Sequence, residues 1–251
     1  MSEGPQVKLI TERLQRQLKG KLISHCKTTR ANLEDLIASI IEASFKRIFC
    51  KGKQIFFDFG FGHLLHNHLL MQDKWKITQD RFMLLPPEIW IAFEVSNCTI
   101  YNYRGQVLRV LDTEQAQAQL DSLGLDIMCE KCNSEEIVEA LSGQDKPIGE
   151  LLLDQSVLSG IGNVAKSESL FLAGIHPETT VRDLKEDELM KLARSIIRVM
   201  WDSYKCGGRW TCRVYRRARN RCFECGSRIL MVRQGKQNRS TYFCPRCQPK
   251  T

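Results

Sequence analysis

The sequence predicts an α+β fold, with antiparallel β structure in its first half, helices in its second, and a zinc ribbon at its end. Three observations predict it. From residue 45 to about 111, short apolar alternations are broken by Gly, Asn and Pro, the mark of a sandwich or barrel. From Pro147 the apolar spacing becomes helical. Near the C-terminus, Cys222-Phe-Glu-Cys225 and Cys244-Pro-Arg-Cys247 are separated by eighteen residues. Four thiolates in two close pairs can wrap one Zn²⁺ tetrahedrally with no position left open, so the expected site is structural rather than catalytic.

The elements follow in order. Residues 5–20 read as a helix, with Val7, Ile10, Leu14 and Leu18 on one face, Pro5 in the first turn and Gly20 at the stop. Residues 31–48 carry a helical pattern (Leu33, Leu36, Ile37, Ile40, Ile41, Phe45), although their isoleucines also favour strand. Residues 45–59 alternate on both sides of Lys51-Gly52-Lys53, a β-hairpin with a charged tip. Residues 113–147 are polar and acidic, a linker plus a helix. Ile148 to Leu158 reads as a helix that stops at Ser159-Gly160-Ile161-Gly162-Asn163. A second helix runs to about Ala173, ended by Gly174. A third runs from about Leu184 to Tyr204, with Leu189, Leu192, Ile196 and Met200 inward and Asp183 with Glu186 as a capping box.

Charge is unevenly distributed. The chain is +8, yet from Arg209 onward it holds twelve of the 37 Lys/Arg and one acid, Glu224, which leaves the first 208 residues at −3. A small basic module suits a polyphosphate partner. No apolar run approaches the ~20 residues of a membrane span, and the first residues have no secretion-signal pattern. Eleven cysteines, seven of them without framework spacing, point to a reducing compartment, cytoplasm or nucleus. Cys129-Glu-Lys-Cys132 has no second pair to complete a metal site and reads as free thiols.

The Gly160-Ile161-Gly162-Asn163 turn allows close backbone approach, and Asn163 opens a helix whose N–H groups favour an anion such as a DNA phosphate. An ordinary tight helix–helix turn has the same residues. His66-Asn67-His68-Leu69-Leu70-Met71 reads either as a loop with apolar wedges or as a buried strand end. Its two histidines have no third ligand, which makes them core or surface residues rather than metal ligands.

Three stretches in order carry a resemblance: Glu3-Gly4-Pro5 before a helix, Leu152 to Pro177 around Gly160-Ile161-Gly162-Asn163, and Cys222 to Gln248. Together they resemble the formamidopyrimidine-DNA glycosylase/endonuclease VIII family, with a tail like the endonuclease VIII branch. The resemblance implies an N-terminal antiparallel β-sandwich domain over residues 1–115, a linker and first helix over 116–146, a helix–two-turn–helix DNA-binding domain over 147–210, and a zinc ribbon over 211–251. It implies a base-excision repair enzyme acting on damaged DNA as a monomer, a glycosylase and AP lyase for oxidised bases, pyrimidines in particular, that nicks by β,δ-elimination. The nucleophile would be the α-amine of residue 2 after removal of Met1. Ser2 stands where the family usually has proline. Glu3 matches the catalytic acid, Lys53 the hairpin-tip lysine, with Lys51 as a neighbour that could share its work, and Arg239 the ribbon arginine that grips a phosphate. Asn163 matches a phosphate contact, and Leu69, Leu70 and Met71 stand where the family places side chains that fill the gap left by a flipped nucleotide, Met71 first among them. Gly149 stands where some members have a phosphate-binding lysine, and Gln6 where many have Glu. Two alternatives remain at this level: a catalytically impaired lesion-binding protein of the same fold, and a zinc-ribbon nucleic-acid adaptor.

Overall fold

The structure is a computed structural model and describes residues 2–70 and 74–250. Contacts divide the chain into two units: Ser2 with Val7–Asp121, and Glu3–Gln6 with Ser122 onward.

The first unit is mostly antiparallel sheet. After α1 (Gly4–Leu18) come β1 (Ile23–Thr28), α2 (Glu34–Ile40), β2 (Arg47–Lys51), β3 (Gln54–Asp58), β4 (His63–His68), β5 (Lys74–Thr78), β6 (Ile89–Val95), β7 (Cys98–Tyr103), β8 (Val107–Asp112) and α3 (Thr113–Asp121). The strands form two four-stranded sheets, ordered β1-β6-β7-β5 and β2-β3-β4-β8. Both contribute to one core: Ile23, Trp75, Ile91, Phe93 and Ile100 from the first, Ile48, Ile55, Phe57 and Leu65 from the second. The rings of Phe57 and Trp75 lie 4.7 Å apart across it. A shared interior between two sheets is a sandwich, and each side chain so buried contributes on the order of 1.5–3 kcal/mol. The alternate residue of β3, Phe56, packs on the opposite face against Leu111 of β8 and Ala116 of α3.

The hairpin expected around Lys51-Gly52-Lys53 is present, with Lys51 paired to Gln54. Its loop is Gly52-Lys53, with Gly52 at φ +58 and Lys53 outside the left-handed region, the pattern of a type II′ turn. The helix read over 31–48 is cut short at Ile40. Ile41 is extended and Glu42 takes φ +66, because Ser44 and Phe45 leave to form bridges with Leu22 and Lys19.

His66 lies inside the second sheet, 2% exposed. Its Nε2 meets Gln54 Oε1 at 2.7 Å, and Arg109 Nε donates to its Nδ1 at 3.3 Å. That network assigns a neutral ring protonated on Nε2. Burial, then the Arg109 charge, lowers its pKa to about 4. Between pH 6.5 and 4 the unfolded chain therefore binds a proton that the folded one refuses, so stability falls as pH drops through that window and levels off below it. The loss is on the order of 3 kcal/mol. Urea denaturation at pH 7 and pH 4.5 checks this: wild type should lose more stability on acidification than His66→Gln.

In the second unit, β9 (Leu125–Asp126) pairs in parallel with β10 (Leu158–Ser159), and α4 (Ser134–Leu141) starts from a full capping box between Asn133 and Glu136. The region read as a linker plus one helix thus spans α3, β9 and α4. The helix read from Ile148 to Leu158 is only α5 (Ile148–Leu151). The apolar residues Leu151, Leu152 and Leu158 are all fully buried, but they enter the core from the end of α5, the turn after it and β10 rather than from one helix. α6 (Asn163–Ala173) ends at Gly174 with φ +75, and α7 (Glu186–Lys205) buries Leu189, Leu192, Ile196 and Met200. The start of α7 is set by the Lys185 N–H donating to Glu188, whereas Asp183 sits in the preceding 3₁₀ turn, so the expected Asp183–Glu186 box is not formed. The ribbon hairpin is β11 (Leu230–Gln234) with β12 (Arg239–Phe243). Among the described residues no helix is long and apolar enough to cross a membrane.

Candidate functional site

Glu3, in the second unit, is held on every side. It is 0% exposed. Its carboxylate accepts N–H bonds from Gly162 at 3.1 Å, Val164 at 2.8 Å and Ala165 at 3.1 Å. These are the orphan donors at the start of α6, where the helix dipole favours a negative charge. The anion expected there from the sequence was a DNA phosphate, but these amides are occupied by the chain's own acid. Glycine makes the approach possible: a Cβ on Gly162 would lie 2.6 Å from Glu3 Cγ. Gly4 N–H donates to Gly160 O at 2.9 Å, with Gly160 at φ +103. A Cβ on Gly4 would meet Met128 and Met200 at 2.9 Å. Gln155 holds the turn from its other side. Its Oε1 accepts from Gly160 N–H at 3.1 Å and its Nε2 donates to Ile161 O at 3.1 Å.

Gln6, unassigned from the sequence, closes the start of α1. Its Oε1 accepts the Glu3 N–H at 2.9 Å while its Nε2 donates to the Gly208 carbonyl. A glutamate here could accept but not donate, so the departure from the family pattern has a local reason.

Two buried charges on α6 escaped the sequence reading. Glu168, 1% exposed, accepts from the N–H groups of Arg213, Val214 and Tyr215 at 2.8, 3.0 and 2.8 Å. It thereby anchors the chain leading into the ribbon. Burial pushes its carboxyl up, and the three amides oppose that shift. Lys166 is 0% exposed and donates to Thr241 Oγ1 at 2.6 Å. Thr241 passes the bond on to Gln234 Oε1 at 2.5 Å, and Gln234 Nε2 donates to Pro177 O at 3.0 Å. Burial lowers the Lys166 pKa to about 8, with Glu3 opposing and Arg239 assisting. The Gly149 position explains itself here, because a Cβ would fall 2.8 Å from Pro177 O and closer still to Gln234. Gln234 fills the space that a lysine stem would need. The only signal for Lys166 and Glu168 was charge on a helix otherwise made of small and apolar residues.

Arg239 opens β12 at the ribbon tip, exposed, with its Nε donating to Gln237 Oε1 at 3.0 Å. It borders a cleft of about 530 Å³ lined also by Lys146, Glu150, Gln155 and Lys236. Asn163 is 7% exposed, and its side-chain oxygen has no hydrogen-bond partner.

In the first unit, the backbone nitrogen of Ser2 donates to Leu70 O at 3.4 Å. Leu70 takes φ +45 and is 38% exposed. Its own N–H donates to His68 Nδ1 at 3.1 Å. Burial and then the Lys53 charge depress the His68 imidazole below its ordinary pKa. Ser2, Leu70, His68 and Lys53 therefore form one neighbourhood, and His68 is the member that the sequence left as an ordinary core or surface residue. Lys51, expected as a possible helper of Lys53, instead donates to Leu120 O at the end of α3, at 2.9 Å. Met71 lies outside the described residues.

Cys222, Cys225, Cys244 and Cys247 bring their sulfurs within 4.8 Å of one another, with Cys222–Cys247 at 3.9 Å and Cys225–Cys244 at 3.4 Å. Four thiolates about 2.3 Å from a central ion stand roughly 3.8 Å apart, so this cluster can hold a tetrahedral metal ion. Among the described residues His66 and His68 join no such group.

Residues 123–213 match the family described as "Formamidopyrimidine-DNA glycosylase H2TH domain". Over 99% of its length the chain is 30% identical to the "Probable endonuclease 8 2" of Streptomyces coelicolor, covering 94% of that protein. It is 29% identical to the "DNA-(apurinic or apyrimidinic site) lyase Nei2" of Mycolicibacterium smegmatis, with 99% of each covered. The fold is that of the Lactococcus lactis formamidopyrimidine-DNA glycosylase solved with AP-site DNA, with a TM-score of 0.87 at 24% identity over 99% of this chain and 100% of the other. Whole-length similarity to these relatives, together with a sandwich, a helical module turning at Gly160–Asn163 and a four-cysteine ribbon, leaves one conclusion: the chain belongs to the formamidopyrimidine-DNA glycosylase/endonuclease VIII family.

Proposed function

We propose that this protein is a base-excision repair DNA glycosylase and AP lyase that uses the α-amine of Ser2 as its nucleophile. The observation that carries the reading is the seating of Glu3. Three amides of the α6 start hold its carboxylate, which fixes the residue adjoining the nucleophile. Family membership and the names of the relatives supply the reaction class.

The amine attacks C1′ of the damaged nucleoside, the glycosidic C–N bond breaks, and the base departs with a proton. Glu3 carries the amine's proton to the ring oxygen as the deoxyribose opens to an imine. Elimination then expels the 3′ phosphate and afterwards the 5′ phosphate. A free α-amine, with a pKa of about 7.7–8.0, is unprotonated and able to attack in about a tenth of the molecules near neutral pH, whereas an ordinary lysine near 10.4 is so in fewer than about one in a thousand. Ser2 keeps that advantage without the secondary amine of proline, whose adduct must be a charged iminium. An imine from Ser2 can lose its proton and become a weaker electron sink, so the second elimination should lag. Lys53 and Arg239 would neutralise phosphates beside the lesion, the Asn163 amide would donate a hydrogen bond to another, and Leu70 with Met71 would fill the vacated stack. Zn²⁺ suits the four thiolates and would brace the ribbon that carries Arg239. The preference for oxidised pyrimidines rests on the endonuclease VIII-like start and tail.

Borohydride trapping on abasic-site DNA, with intact mass of the protein, tests the core of this. The expected result is a covalent adduct on Ser2 of a chain lacking Met1. Full activity on a chain that wholly retains Met1 would refute the nucleophile. A lesion panel, thymine glycol against 8-oxoguanine, tests the substrate preference.

A further inference from the structure

The ribbon carries an aromatic side chain that neither the fold nor the proposed chemistry uses. Phe223 stands between the first two cysteines and is 72% exposed. The Arg217 guanidinium covers one face of its ring, 3.4 Å from the centroid. Arg217 is pinned there, since Nη1 donates to Arg213 O at 2.9 Å and Nη2 to Arg221 O at 3.1 Å. The stack is therefore preformed rather than adventitious. Arg219, Arg221 and Arg228 are exposed beside it, with Arg221 and Arg228 bridged across the base of the knuckle. Arg219 is held at φ +71 with its N–H on Ile229 O at 2.9 Å.

A cationic surface alone would suit duplex and single strand alike. A bare ring on a fixed guanidinium adds something only an unpaired base can use, because the faces of paired bases are already covered by their neighbours. The sole acid from Arg209 onward is Glu224, so the surrounding field favours a polyanion, and the exposed ring on its guanidinium selects one that carries bases. We propose that the knuckle around Phe223 is a second nucleic-acid site, a stacking platform for one unpaired base of single-stranded DNA. This goes beyond the lesion site and rests on the reading that the protein binds DNA.

The test uses the full, zinc-loaded chain and fluorescence anisotropy on three DNAs: a blunt duplex with an abasic analogue, the same duplex with a single-stranded tail, and the tail alone. Wild type should bind the tailed duplex more tightly than the blunt one. Phe223→Ala should weaken binding to the tailed and single-stranded DNAs about fivefold or more, as loss of one stacked aromatic does, and leave the blunt duplex within twofold. Phe223→Trp should keep the gain and show indole quenching on single strands. An equal loss on all three DNAs, or no loss on the tailed one, overturns the proposal. So does a wild type indifferent to the tail, even where borohydride trapping succeeds. Failed trapping with an intact tail preference would instead strike the proposed enzyme activity alone.

Discussion

Glu3→Gln is expected to slow base release by at least about a hundredfold in single-turnover assays on a duplex lesion. Loss of a positioned proton carrier typically costs 10²–10⁴-fold, and this residue has a second function that the substitution also damages. The carboxylate accepts from three N–H groups. A carboxamide accepts through one oxygen and turns its NH₂ toward donors, leaving at least one buried amide unpaired at about 1–3 kcal/mol. Urea denaturation of the same variant should register that loss. The two readouts separate the roles: a destabilised protein that still releases base at the wild-type rate would remove Glu3 from the chemistry and leave it as a purely architectural acid.

Cys244→Ser should abolish metal retention and unfold the ribbon while α4, α6 and α7 persist. Structural Zn²⁺ contributes apparent binding free energies of about 10–16 kcal/mol in finger peptides, far more than the small cluster of Phe171, Val214, Cys222, Ile229 and Cys244 beneath the ribbon could replace. The damage would spread along a defined route. Thr241 on β12 accepts from Lys166, so losing the hairpin strips a fully buried ammonium of its hydrogen-bond partner. DNA affinity should drop at least about tenfold as the module's cations lose their arrangement. Zinc stoichiometry and hydrogen exchange across residues 211–250 check this. A variant with one zinc per chain and a protected hairpin would contradict it.

The parts of the fold that were legible are those where local chemistry decides. Gly52 between two lysines forces a hairpin, Gly174 ends α6, and the paired cysteines meet through spacing alone. The misread parts are those where burial, not propensity, sets the pattern. Leu151, Leu152 and Leu158 are apolar because they are inside, and apolar residues buried in a core carry no period that distinguishes helix from turn. Ile37, Ile40 and Ile41 look helical, yet Glu42 turns the chain so that Phe45 can reach the sandwich interior. At the candidate site, the family resemblance singled out Glu3 but left the α6 N-terminus open for a phosphate. Pairing an acid with amides some 160 residues away lies outside any local signal. Lys166 and Glu168 went unnoticed because charged side chains are expected at the surface unless paired, and their partners are backbone groups and hydroxyls that composition does not reveal.

The seating of Glu3 has a consequence for biosynthesis. Its amide partners in α6 leave the ribosome about 160 residues later, which at about 5–20 residues per second is roughly ten to thirty seconds of translation. During that wait the Glu3 carboxylate has no amides to hold it, although Gln6 is already at hand to accept the Glu3 N–H and Val7 and Leu14 belong to the sandwich core. The seat of Glu3 is therefore complete only once α6 has been made, and this segment reaches its final place well after it is synthesised.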